Sequence, residues 1–123
     1  MCAAALEPRL RASVMSNYFC TFRDSILAMP HCPCNYIPGL LQDGEMYDIA
    51  ALCAPHPLMI VAGSEDPLFP LPGVLEAYGR LRGAYTALGA ADRLDKDVFA
   101  GGHQINGAKA YDFLWRWLSE KDR

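Results

Sequence analysis

The 123-residue chain lacks several things that would place it quickly. It has no concentration of basic charge: the formal net charge is −3 and the pI is near 5.5. Arg9, Arg11, Arg80, Arg82 and Arg93 are scattered, and no basic run exceeds two residues. Phosphate binding needs a basic surface, so nucleic acid is not an expected partner. No apolar stretch approaches the ~20 residues of a membrane span, so no membrane partner is expected either. The opening MCAAALEPRLRAS has no charged n-region ahead of an apolar h-region, and no signal peptide is expected. The five cysteines are odd in number and follow no regular disulfide framework, which points to reduced thiols and a cytoplasmic setting. Internal repeats and low-complexity tracts are absent.

What is present is the composition of a soluble globular chain, 52% hydrophobic and 20% charged, and its length suits one domain. Ala3 to Leu6 resembles the end of a helix that Pro8 stops. Ala12–Phe19 reads as a buried strand by its apolar run. From about 20 to 52 the chain reads as a long irregular insertion, with one helix expected near Thr21–Met29. Met29-Pro-His-Cys-Pro-Cys-Asn-Tyr-Ile-Pro-Gly39 within it is too rich in Pro and Gly for regular structure, and irregular stretches of that length often line a site. Residues 57–63 form a continuous apolar run of strand length, as in parallel strands covered on both faces. Pro72 suits the first turn of a helix over 72–88, where Val74, Tyr78, Leu81, Tyr85 and Leu88 make one stripe and Gly89 a stop. Residues 93–99 read as a more polar strand nearer the sheet edge. A final helix over 106–119 would be capped by Asn106 and buried through Tyr111, Leu114, Trp115 and Leu118. Strand, helix, strand, helix with short links predicts an α/β fold, a three-layer parallel sheet.

In such sheets ligands and catalytic groups collect beyond the carboxyl ends of the strands. Two ends stand out: Ala62-Gly-Ser-Glu-Asp66, with the acid just past its strand, and Phe99-Ala-Gly-Gly-His103, with the histidine in a Gly-rich turn. One crossover helix apart, the two can meet above the sheet. A carboxylate there would fix the imidazole tautomer and stabilise the imidazolium formed on proton uptake. Each residue has a plainer use. His103 could be an exposed loop residue, and Asp66 could cap the turn before Pro67; Glu65 is the alternative acid.

The segments Leu6 to Ser25, Cys32-Pro-Cys-Asn-Tyr-Ile-Pro-Gly39, Val61-Ala-Gly-Ser-Glu-Asp-Pro-Leu-Phe-Pro70 and Gly101-Gly-His103 resemble bacterial α/β-hydrolases of the dienelactone hydrolase, acetyl xylan esterase and prolyl-oligopeptidase clan. The resemblance covers nearly the whole chain but only the C-terminal half of that family's domain, so residues 1–123 are expected to form a single, partial α/β-hydrolase domain. It implies Asp66 as catalytic acid and His103 as general base, a carboxylic ester or small acyl substrate, and no cofactor. The order acid then histidine is that of the family, whose serine comes first.

The family's Gly-x-Ser-x-Gly is missing. None of Ser13, Ser16, Ser25, Ser64 and Ser119 is flanked by glycines at that spacing. Without a nucleophile and its oxyanion donors the pair has no attacking atom to activate. Two further readings follow. The chain could be a non-catalytic hydrolase-fold remnant or assembly module. Alternatively it could work through the Cys-Pro-Cys loop, although His31, Cys32 and Cys34 match zinc-ligand spacing poorly, and neither Cys20 nor Cys32 sits in a strained elbow. In the family fold another strand flanks Ala12–Phe19. Without it the apolar edge is open, and self-association across that edge is expected.

Overall fold

The computed structural model describes residues 1–119. Three parallel strands, β1 (Ser13–Ser16), β2 (Leu58–Gly63) and β3 (Leu94–Phe99), form one sheet in the order β1-β2-β3. Five helices accompany them: α1 (Cys2–Leu6), α2 (Leu40–Asp43), α3 (Met46–Ala51), α4 (Leu71–Ala87) and α5 (Ala110–Ser119). All six residues of β2 are buried. Leu58, Ile60 and Ala62 face a core built from Val74, Ala77, Leu81 and Tyr85 of α4, Met46 and Ala50 of α3, and Phe19, Phe22 and Ile26. Met59 and Val61 face Ala110 and Phe113 of α5. Helices on both sides of a continuously apolar central strand give the three layers that the run at 57–63 predicts. β3 alternates poorly, is exposed at Asp95, Lys96 and Val98, and lies at the sheet edge.

Several elements differ from the sequence expectations, each for a local reason. β1 ends at Ser16 rather than running to Phe19, because Asn17 turns into the left-handed region at φ 51°. The helix expected over Thr21–Met29 is a succession of turns. Its backbone bonds are of mixed span, Leu27 amide to Phe22 O at 2.9 Å, Ala28 amide to Ser25 O at 3.0 Å and Met29 amide to Ser25 O at 3.3 Å, rather than a regular four-residue series. The 20–52 stretch is also more ordered than expected, with a 3₁₀ turn at Pro33–Asn35, α2 and α3. A capping box of Glu45 and Asp48 opens α3. Leu88 leaves the α4 stripe and is 61% exposed, since the helix ends at Ala87 and Gly89, at φ 67°, turns the chain away.

The largest correction concerns α5. It starts at Ala110, because Asn106 Oδ1 accepts the Ala108 amide in a local turn instead of capping a helix. Ala110 and Phe113, with the partly buried Leu114 and Trp117, face the sheet. Tyr111, Trp115 and Leu118 point outward. Both stripes satisfy helical spacing. Lys109, just ahead of the helix, binds the buried Asp97 of β3 at 2.9 Å, and this pair, together with Asp112 and Arg116 on the same flank, orients the helix with its charged side toward β3.

Leu81 is fully buried between α4 and the sheet. Leu81→Ala should cost about 3 kcal/mol of unfolding free energy through lost burial and a residual cavity, read as a lower urea midpoint at unchanged slope.

Candidate active site

Parallel strands of equal length bring their carboxyl ends to one height. β2 and β3 stay in step from Leu58 opposite Leu94 to Gly63 opposite Phe99. The two loops that follow are then clasped together: the Ser64 amide donates to Phe99 O and the Glu65 amide to Gly101 O, each at 2.9 Å. Gly63 permits this approach, since a Cβ there would lie 2.3 Å from Gly102 O.

Asp66 and His103, predicted from those strand ends, lie together. His103 Nδ1 is 2.9 Å from Asp66 Oδ2. The carboxylate accepts, so a neutral ring here carries its proton on Nδ1 and leaves a lone pair on Nε2. The Asp66 side chain is 1% exposed, whereas that of His103 is 45% exposed. Oδ1 of Asp66 accepts the backbone amides of Leu68 at 2.8 Å and Phe69 at 3.2 Å. Burial pushes the Asp66 carboxyl up, but the hydrogen bonds from His103, Asn17, Leu68 and Phe69 outweigh it and hold the group below the ordinary carboxylate value. The His103 ring stacks on Phe69 with centroids 5.7 Å apart and planes at 17°.

The ring borders an open cleft of about 560 Å³ whose other walls include Ser16, Tyr18, His31, Cys32, Asn35 and Phe69. Tyr18 and His31 both pack on Phe69, and the Tyr18 hydroxyl donates to Asn35 Oδ1 at 2.5 Å. Part of the 20–52 stretch therefore does line the site. His31, Cys32 and Cys34 do not form a metal-holding group: among the described residues no three His, Cys, Asp or Glu side chains converge in that way. His31 Nε2 instead lies 3.2 Å from Ser25 Oγ. This serine–histidine contact is not an activated nucleophile. Ser25 is fully buried and its hydroxyl donates to Leu68 O at 2.5 Å, so His31 is the donor in the pair. Cys20 is also fully buried, and burial pushes its thiol up to about 11, against the thiolate a nucleophile needs. All five cysteines are free, with Cys2, Cys32 and Cys34 exposed.

The residue that sequence reasoning missed is Asn17. From the end of β1 its amide nitrogen donates to Asp66 Oδ2 at 2.9 Å and to Gly102 O at 3.1 Å. The one local signal was an asparagine closing an apolar strand, a residue type that tolerates positive φ.

Comparison with known proteins places this geometry in a fold. No family model matches the chain. Over 86 residues it is 33% identical to the Bacillus subtilis protein named "Putative hydrolase YtaP", a match spanning 68% of this chain and 29% of that one. A family 15 carbohydrate esterase, a glucuronoyl esterase from Caldicellulosiruptor kristjansonii, superposes with a TM-score of 0.74 at 18% identity, covering 97% of this chain and 40% of its own. The glucuronoyl esterase catalytic domain from Hypocrea jecorina gives a TM-score of 0.74 at 16% identity, covering 98% and 41%. The Pyrococcus furiosus esterase Pf2001 gives 0.62 at 14%, covering 94% and 48%. The chain thus spans less than a third of its curated relative and less than half of these solved structures. It has the α/β-hydrolase fold, of which it covers a part.

A carboxyl held below its ordinary value stabilises the folded state above its unfolded value of about 3.9, and that contribution disappears as pH falls through the lower, folded value. The stability gap between the wild type and Asp66→Asn should therefore be constant near neutrality and narrow below about pH 4. Urea titrations by circular dichroism from pH 7 to pH 3 measure it; a gap independent of pH would show that the ionised carboxylate is not what the fold prefers.

Proposed function

We propose that this chain supplies the acid–base half of a carboxylic ester hydrolase site, with His103 as general base and Asp66 as the carboxylate that orients it. The observation carrying the reading is the 2.9 Å contact between Asp66 Oδ2 and His103 Nδ1 at neighbouring strand ends, with the half-exposed ring at the edge of the cleft. Asp66 fixes the proton on Nδ1 and stabilises the imidazolium. Nε2 takes the proton from an attacking hydroxyl and returns it to the departing alcohol. The esterase names among the structural neighbours and the hydrolase name of the sequence relative agree with this chemistry. The attacking serine and the oxyanion donors are assigned to polypeptide outside these 123 residues, since no Gly-x-Ser-x-Gly is present and Ser25, which contacts His31, has its proton committed to Leu68 O.

Supplying the nucleophile tests the reading. Joined to the part of the Bacillus subtilis relative that the match leaves uncovered, the chain should yield esterase activity that His103→Ala lowers by about four orders of magnitude. Alone, it should hydrolyse p-nitrophenyl acetate no faster than its own His103→Ala variant. A folded chimera equally active with and without His103 would end the reading. A product burst from the isolated chain, lost on substituting one of its five serines, would place the nucleophile inside it.

A second reading, as an assembly module, has an observation of its own. Among the described residues no strand pairs with the outer edge of β1, which carries only Ser13, Val14, Met15 and Ser16. The charged flank of α5 faces β3, so Tyr111, Trp115 and Leu118, at 72%, 75% and 50% exposure, lie on the opposite flank, toward β1. We propose that two isolated chains pair here about a two-fold axis. A neutral edge opposes itself without like-charge repulsion, and the aromatic flank provides apolar area beside it. The isolated chain should sediment as a dimer at micromolar concentration, and Trp115→Lys should weaken the dimer by about tenfold or more. A wild-type monomer at the same concentration would refute this reading and leave the acid–base reading intact.

A further inference from the structure

We propose that Asn17 is a positioning residue for the Asp66–His103 pair, a role that rests on the acid–base reading and extends it to the third strand end. Three observations converge on it. The first is the double donation: one amide nitrogen serves both Asp66 Oδ2, at 2.9 Å, and the Gly102 carbonyl, at 3.1 Å, immediately before His103. The side chain thus grips both partners of the contact it flanks, the acceptor oxygen itself and the loop that delivers the ring. The second is burial. Asn17 is 6% exposed and Asp66 5% exposed, so water does not readily substitute for the amide, and a buried carboxylate oxygen deprived of a donor is costly. The third is the backbone. Asn17 is the sole non-glycine residue at positive φ among the described residues, at 51°. It sits where β1 stops, with its own amide still bound to Val61 O at 2.9 Å. A conformation that other side chains adopt at a cost is kept at the one position from which an amide reaches both loops.

The division of labour around the carboxylate follows. Oδ1 is held by the Leu68 and Phe69 amides of its own loop, which fixes the position of the group but leaves Oδ2 to be aimed. Asn17 and His103 share Oδ2. Asn17 keeps that oxygen charged and in place, and through Gly102 it holds the turn on which His103 stands. Phe69, stacked on the His103 ring, limits its tilt.

The test separates the amide from the backbone it sits on. Asn17→Gly keeps the left-handed conformation and deletes the amide; Asn17→Asp keeps the shape and replaces the donor with a second carboxylate. In the intact chain, the Asp66 carboxyl carbon is titrated and the His103 ring nitrogens are assigned by NMR. In Asn17→Gly the Asp66 midpoint should rise by about one pH unit, and the ring should lose its preference for the Nδ1–H tautomer. In Asn17→Asp the two neighbouring carboxylates should titrate in two separated steps, one of them well above the ordinary range. An unchanged Asp66 midpoint and an unchanged tautomer in a folded Asn17→Gly chain would overturn the proposal. Should that variant not fold, a single wild-type-like Asp66 titration in Asn17→Asp would overturn it equally. The readout is protonation rather than turnover, so a negative result removes the role of Asn17 alone, whereas the acid–base reading fails only if ester hydrolysis in the completed chimera ignores His103.

Discussion

Four donors meet on one buried carboxylate, and they come from all three strand ends. Leu68 and Phe69 belong to the loop after β2, His103 to the loop after β3, and Asn17 to the end of β1. A buried anion is tolerated only when hydrogen bonds replace its hydration, so the ionised Asp66 requires these elements to be in place together. The constraint runs both ways. Beyond the packing of Phe69, the mutual placement of the loops depends on the group at their centre, on the Gly63 approach and on the two amide clasps from Ser64 and Glu65.

The layers below make that arrangement possible at modest length. β2 is covered on one face by α3 and α4 and on the other by α5, so the strand that carries the acid is also the most buried element of the chain. The buried strand and the carboxylate site are continuous: Gly63 ends the strand, and Asp66 follows within one turn. The cleft, by contrast, is walled in part by Pro30, His31, Cys32 and Asn35 of the 20–52 stretch, where side-chain hydrogen bonds such as Asn35 Nδ2 to Cys32 O at 3.1 Å tie the loop.

The same distinction explains what could be read from the sequence. The central strand was legible because six consecutive buried positions leave an uninterrupted apolar run. That Asp66 and His103 meet was legible because neighbouring parallel strands bring their carboxyl ends side by side. Asn17 was not, since its partners lie 49 and 85 residues away and nothing local distinguishes a bridging asparagine from a turn. The rotation of α5 was not legible either. Two overlapping stripes satisfy the same period, and the choice is governed by a long-range ion pair between Lys109 and Asp97. The helix expected over Thr21–Met29 is replaced by turns whose backbone bonds span five, three and four residues in succession, a choice that composition does not reveal.

The matched lengths of β2 and β3 act as a gauge. Each has six residues, paired without offset from one end to the other; Asp66 then follows Gly63 by three positions and His103 follows Phe99 by four. Each residue of parallel strand advances about 3.3 Å, more than the tolerance of a hydrogen bond. A single deletion within β3 would therefore either draw the imidazole out of reach of the carboxylate or slip the strand by one, turning Leu94 and Asp97 to the opposite face. Lengthening the Leu88–Ala91 connection at the far end of the sheet would accordingly leave the pair in step, whereas a changed count of residues between Leu94 and His103 would not.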